Sequence, residues 1–189
     1  MNIKHELEVA KLAAVEAGNL LLNKRPLLKK TIFTSDKDIK LEADVSAENL
    51  IKNILLNRSD HPILAEESGK SQENLDDIYW VVDPLDGTAN YDRGIPICCV
   101  SIALMSKMNP LLGVIYDFNC NNLYEGCINE GAKLNNNPIE VSNINSSNNG
   151  ILVTGLPNNT DYSDKALLKM LKDFQQWRKV RMIGSAAIA

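Results

Sequence analysis

The sequence predicts an α+β protein in which N-terminal helices back a mostly antiparallel sheet and a parallel layer begins near the C-terminus. Three observations carry that reading. Ile3, Leu7, Ala10, Ala14, Ala17 and Leu21 recur at helical spacing, so residues 3–23 form an amphipathic helix that needs a covering surface. Cys99–Met105 and Leu111–Tyr116 are apolar, β-rich runs joined by Ser106-Lys107-Met108-Asn109-Pro110, which reads as a hairpin. Past Gly150 the pattern becomes strand, helix, strand, a β-α-β unit and the beginning of a parallel layer.

Taken in order, Pro26 ends the first helix. Residues 29–44 are polar, and Ser35-Asp36-Lys37-Asp38-Ile39-Lys40 reads either as a mobile loop near a site or as a solvated charge cluster. Ser46 is read as the N-cap of a helix over 47–56, with Ile51, Ile54 and Leu55 on its apolar side. Pro62-Ile63-Leu64-Ala65 is a short strand ending in Glu66-Glu67-Ser68-Gly69, and Ile78–Val82 is a strand that runs into Asp83-Pro84-Leu85-Asp86-Gly87-Thr88. After the hairpin come strand segments at Leu123-Tyr124 and Gly126–Ile128, then Gly131–Val141 with turns and one short strand. Ser142–Gly150 is rich in Asn and Ser and has little to bury, so it reads as a linker dividing residues 1–145 from 146–189. Beyond it, Ile151–Thr154 is a strand, Ser163–Trp177 a helix with Leu167, Leu168, Leu171 and Phe174 inward, and Val180–Ile183 a second strand.

Composition narrows the function classes. With 44% hydrophobic and 23% charged residues over 189 positions, the chain is an ordinary globular protein of one domain with part of another. A formal charge of −4 and the lack of a long basic run argue against nucleic acid as a partner. Cys98, Cys99, Cys120 and Cys127 lack zinc-site spacing, and His5 and His61 are too few for a Ser-His-Asp or Cys-His hydrolase. Neither a P-loop nor a dinucleotide-binding glycine pattern occurs. The charged N-terminus is unlike a signal peptide and no stretch reaches membrane-spanning length, so a cytoplasmic protein with reduced thiols and no membrane partner is expected.

The most informative run is Asp83-Pro84-Leu85-Asp86-Gly87-Thr88. Pro84 fixes its own φ and pushes Asp83 toward an extended conformation, so the chain leaves the strand by turning and the two aspartates can converge. Carboxylates and the Leu85 carbonyl are hard oxygen donors suited to Mg²⁺, with Mn²⁺ as the alternative. Gly87 permits close approach of a ligand, and the Gly87 and Thr88 amides can face an anion. Read alone, Glu66-Glu67 is an acidic surface loop and Asp44 a turn or capping residue.

The order Asp44, Glu66-Glu67-Ser68, Asp83-Pro84-Leu85-Asp86-Gly87-Thr88 resembles the inositol monophosphatase family of metal-dependent, lithium-sensitive phosphatases. The likeness runs through Trp80-Val81-Val82 and Val100-Ser101-Ile102-Ala103 to Gly184-Ser185-Ala186-Ala187. It implies a layered αβαβα sandwich, with Glu66, Asp83, Asp86 and the Leu85 carbonyl as metal ligands and Glu67 as a ligand or an orienter through water. Thr88 and Glu66 would position the attacking water, and Asp44 would hydrogen-bond Thr88 or hold a metal-bound water. Asp86, Gly87, Thr88, Ser185 and Ala186 would meet the substrate. A homodimer is left open.

The resemblance also implies a further metal-binding carboxylate beyond Ala189. Ser185–Ala189 reads as the opening of a helix with no C-terminal cap, so a truncated chain with an incomplete second α/β layer is expected. The function read from the sequence is Mg²⁺-dependent hydrolysis of a small phosphorylated metabolite, inositol monophosphate or a similar sugar phosphate, by activated water. Bisphosphate nucleotidase and fructose bisphosphatase are the alternatives within the family, and a catalytically incomplete metal- or phosphate-binding fragment is the alternative of another class. A phospho-aspartyl mechanism is disfavoured, because Asp83 and Asp86 are three residues apart where that chemistry needs two.

Overall fold

The computed structural model describes residues 1–34, 39–73, 75, 77–156 and 160–189. Ser35–Asp38, the first part of the segment read as a loop near the site, lies outside them. Helix α1 (Ile3–Asn23) begins where the Asn2 side chain accepts the His5 amide at 3.3 Å. Its inward stripe is built of small residues, Ala10, Ala13, Ala14, Ala17 and Gly18, which lets the helix lie close to the sheet. A Cβ at Gly18 would come within 2.5 Å of the Tyr116 ring. Pro26 does not end helical structure: it sits in the first turn of α2 (Arg25–Leu28), where its missing N–H costs nothing. The polar segment that follows folds back on itself as the antiparallel pair β1 (Thr31–Thr34) and β2 (Ile39–Leu41).

Helix α3 spans Glu42–Leu56, so Ser46 is not its N-cap. The helix starts earlier because the Asp44 carboxylate accepts the Leu41 amide at 2.8 Å and satisfies a donor at the helix start. Helices α1 and α3 pack on each other and on one face of a sheet. Its strands are β3 (Ile63–Ala65), β4 (Gly69–Lys70), β5 (Ile78–Asp86), β6 (Cys99–Ser106), β7 (Asn109–Asp117), β8 (Asn122–Cys127), β9 (Gly131–Leu134) and β10 (Asn137–Ile139). They lie in the order β10-β9-β8-β7-β6-β5-β3-β4, and within this sheet only β3 and β5 pair in parallel among the described residues. Leu123–Cys127 lies in one strand rather than two, with Ile128 outside it, while Gly131–Val141 contributes two short strands rather than one. Trp80, Val82, Ile102, Leu104, Leu112 and Val114 are buried in the core. The indole N–H of Trp80 is satisfied by Ser59 Oγ at 3.1 Å.

Helix α4 (Thr88–Arg93) follows β5 directly. Past the Asn/Ser-rich segment, β11 (Ile151–Thr154) and β12 (Lys179–Met182) pair in parallel around α5 (Asp164–Phe174). The β-α-β order is as expected, but the inward set on the helix is not. No residue of α5 is buried, and Leu168 and Leu171 are 55% and 54% exposed. The layers are those of the α+β sandwich, and β11 and β12 form the second sheet among the described residues. Among those residues no helix is long and apolar enough to cross a membrane, and all four cysteines are free.

Candidate active site

Two parallel strands bring the first acids together. Because Ala65 pairs with Val82 and the Glu66 amide donates to the Val82 carbonyl at 3.0 Å, Glu66, just past the end of β3, comes beside Asp83 within β5. Asp83 and Asp86 would face opposite ways on a regular strand. The ladder between β5 and β6 shifts between them: Asp83 pairs with Ser101 and Asp86 with Cys99. Pro84 and Leu85 thus stand opposite Val100 alone, an irregularity placed where Pro84 has no N–H to give the ladder. Ser101 and Cys99 share a face, so their partners Asp83 and Asp86 share one too.

The electrostatics follow from that crowding. Burial first, then the Glu66 and Asp86 carboxylates, push the Asp83 carboxyl well above the usual carboxylate range, against the Leu85 amide that donates to it at 3.1 Å. Asp44 is pushed up to about 6, chiefly by burial, while the Leu41 amide and the Thr88 hydroxyl oppose the rise. Thr88 Oγ1 donates to Asp44 Oδ1 at 2.8 Å and also lies 3.0 Å from the Leu85 carbonyl oxygen. Asp44, Thr88 and Leu85 thus form one linked group at the start of α4. Gly87, at φ +91°, supplies the turn into it, and a Cβ there would sit 2.8 Å from the Ile97 carbonyl oxygen.

Asp86 is held from the far end of the chain. Its carboxylate accepts from the Ser185 hydroxyl, from the Ala186 amide at 3.1 Å and from the Ala187 amide at 2.8 Å. The Ala186 amide is therefore committed to Asp86. Asn90 fixes the same turn, donating to the carbonyls of Ile97 at 2.8 Å and Ile183 at 2.7 Å. An open cleft of about 660 Å³ adjoins it, lined by Asp86, Ser185, Ala186 and the end of β11.

Glu67 points into a different network. Its amide donates to the buried Glu48 carboxylate at 2.8 Å, and its own carboxylate pairs with Lys40. Lys52 joins Glu48 at 3.9 Å and Ser68 Oγ at 2.8 Å. Sequence reasoning missed Glu48 and the Lys40 pairing with Glu67, and gave Asn90 no structural role. Glu48 had a usable signal, since it lies one helical turn after Asp44 and four residues before Lys52.

A model of the inositol monophosphatase family matches residues 3–189. The chain belongs to that family. The fructose-1,6-bisphosphatase/inositol-1-monophosphatase of Aquifex aeolicus is 33% identical over 99% of this chain and 72% of its own length. The Nus factor SuhB of Pasteurella multocida is 34% identical over 96% of this chain and 70% of its own. The structure of inositol monophosphatase from Anabaena superposes with a TM-score of 0.83 at 32% identity, covering all of this chain and 70% of that one. The chain is therefore a phosphatase of the inositol monophosphatase family, a family that is metal-dependent and acts on small phosphorylated substrates.

The donor chemistry of the site fits such a metal. Asp83 has a proton affinity raised by burial first and then by its acidic neighbours Glu66 and Asp86, and a hard divalent cation would offset both. Among the described residues no three acidic, His or Cys side chains close around a single point; Asp86 is instead engaged by the 185–187 turn.

Proposed function

We propose that the chain hydrolyses a small phosphomonoester, inositol monophosphate or a similar sugar phosphate, with Mg²⁺ held by Glu66, Asp83, Asp86 and the Leu85 carbonyl. The observation that carries the reading is the buried Asp83 beside Glu66 and Asp86, where β3 ends against β5, next to the Thr88–Asp44 hydrogen bond. When bound, Mg²⁺ supplies the charge that favours ionisation of a water near neutral pH and neutralises phosphoryl oxygens.

The chain's own groups do the rest. The Thr88 hydroxyl proton is directed at Asp44, which leaves Oγ1 as an acceptor that fixes the orientation of the attacking water. Glu66 is the base that receives the second contact from that water, and the Gly87 and Thr88 amides hydrogen-bond the phosphoryl oxygens. Ser185 acts by setting Asp86, since its hydroxyl is donated there. The leaning toward an inositol or sugar phosphate rests on Asn90 and Tyr91 following the Thr88-Ala89 pair and on the naming of the relatives.

The test is phosphate release from inositol 1-phosphate, fructose 1,6-bisphosphate and a nucleoside 3′,5′-bisphosphate. Activity lost to a chelator, restored by Mg²⁺, inhibited by lithium and highest on the inositol ester is the expected result. Trapping of a hydroxylamine-sensitive phospho-aspartate during turnover would overturn the water mechanism.

A further inference from the structure

The β11-α5-β12 unit meets the first sheet with little core of its own, since no residue of its three elements is buried. Hydrophobic burial therefore does little to fix where it sits, and specific polar bonds matter more. Two sets of them meet at Ile183–Ala187: Asn90 Nδ2 donates to the Ile183 carbonyl at 2.7 Å, and Asp86 accepts from Ser185, Ala186 and Ala187. Asn90 comes from a firmly held helix. Its neighbour Tyr91 is fully buried and donates its hydroxyl to the Leu21 carbonyl of α1 at 2.7 Å, while Lys29 Nζ donates to the Asp92 carbonyl at 2.6 Å. Asn90 Nδ2 also donates to the Ile97 carbonyl at 2.8 Å, shortly before Cys99, the β6 partner of Asp86. Both donors of the carboxamide are thus used. Gly184 lets the segments come together: its φ is +74°, and a Cβ placed there would lie 3.0 Å from Asn90 Nδ2.

We propose that Asn90 is a positioning residue: it pins the end of the second sheet at Ile183 and so brings the donors of Ser185–Ala187 into register with Asp86. The inference concerns the placement of those donors, and it rests on the reading of Asp86 as a site residue only for its effect on turnover. The chemistry at position 90 is restrictive. A carboxamide offers two N–H donors from one planar group, and here both meet main-chain carbonyls on separate segments. Asp, of the same shape, has no donor when ionised and would set its charge against both carbonyls, and Ala leaves both without this partner. Either change frees the chain after Met182 to shift. Donors displaced by about 1 Å no longer hold Asp86, because a contact at about 3.6 Å is no longer a hydrogen bond. Asn90 thus acts through the turn and Asp86.

The experiment is amide hydrogen exchange followed by NMR on the isotope-labelled chain, comparing wild type with Asn90→Ala and Asn90→Asp. In the wild type both Nδ2 protons of Asn90 should exchange slowly, and fast exchange of the pair would overturn the proposal without recourse to a variant. In either variant the Ala186 and Ala187 amides should exchange about tenfold faster than in wild type, as expected for the loss of hydrogen bonds of ordinary strength. The Trp80 and Glu66 amides, which donate to the Pro62 and Val82 carbonyls, should keep their wild-type rates. Unchanged exchange at Ala186 and Ala187 would overturn the proposal, and so would an equal acceleration at Trp80 and Glu66, which would make Asn90 a general stabiliser. Turnover gives the functional readout: kcat for inositol 1-phosphate should fall at least about tenfold in Asn90→Ala. An unchanged kcat alongside faster exchange at Ala186 and Ala187 would overturn the link from Asn90 to the reaction. A wild type that releases no phosphate would overturn the functional reading above, while the exchange rates still decide the placement of the turn.

Discussion

Replacing Asp83 with Asn should stabilise the metal-free protein, although it removes a proposed metal ligand. In the folded chain without a cation, burial and the neighbouring Glu66 and Asp86 push the Asp83 carboxyl from 3.8 up to about 8. The native state thus binds this proton more tightly than the unfolded chain, and stability falls as pH rises from about 4 to about 8. Each tenfold gain in proton affinity on folding corresponds to about 1.4 kcal/mol, so the cost carried at pH 7 approaches roughly 4 kcal/mol. Asn keeps the acceptor that meets the Leu85 amide at 3.1 Å but adds no charge. The variant should gain roughly 2–4 kcal/mol at pH 7, a rise in Tm of roughly 5–15 °C for a chain of this size. Melting in a chelator at several pH values between about 4 and about 8.5 reads the effect. Asp44, at about 6, slopes the same way in both proteins and cancels in the difference. The gap should close near the acid end of that range and widen toward the alkaline end, and Mg²⁺ should raise the wild type alone. A variant less stable than wild type under alkaline conditions, or a gap that does not change with pH, would refute the reasoning.

Other perturbations follow from the same geometry. If the Thr88 hydroxyl, which donates to Asp44, orients the attacking water as proposed, Thr88→Ala should lower kcat by at least about 100-fold with KM nearly unchanged and Thr88→Ser should keep most activity; steady-state kinetics decide it. Gly87→Ala should cost about 1–3 kcal/mol in a denaturant titration, since φ is +91° and the added Cβ meets the Ile97 carbonyl oxygen at 2.8 Å. Glu48→Ala should cost about 1–3 kcal/mol by leaving the Glu67 amide without its acceptor, while Glu48→Gln recovers most of it. Ser185→Ala should lower the Mg²⁺ concentration needed for half-maximal thermal stabilisation by about two- to tenfold, because it removes a donor that competes with the cation for the Asp86 carboxylate; an unchanged or higher midpoint would show that the Ser185–Asp86 contact does not hold Asp86 back.

Much of this is legible in the sequence where local rules and burial agree. The α1 periodicity and the hairpin of β6 and β7 follow from side-chain spacing, whereas Pro84 does not turn the chain out of its strand: β5 runs on to Asp86, and the proline is absorbed as an irregularity in the ladder with β6. The start of α3 is less legible, because Ser46 is a good capping residue, whereas the operative donor–acceptor pair, Leu41 to Asp44, involves a carboxylate inside the first turn. Apolar spacing points to an inward face on α5, but spacing shows only which residues need a cover, and Leu168 and Leu171 remain exposed. Within the site, Asp83 and Asp86 can be chosen from their motif. The Glu66–Asp83 adjacency needs the parallel pairing of β3 with β5, and the capping of Asp86 by Ser185–Ala187 joins positions about 100 residues apart. Neither pairing has a local sequence signal.

The most direct test of the central claim is phosphate release from inositol 1-phosphate, titrated with Mg²⁺, by the wild-type chain and by Asp83→Asn shown to be folded. The expected result is a rate that saturates with Mg²⁺ in the wild type and falls by at least roughly 1,000-fold in the variant. Turnover by Asp83→Asn close to that of the wild type, at the same Mg²⁺ dependence, would contradict it.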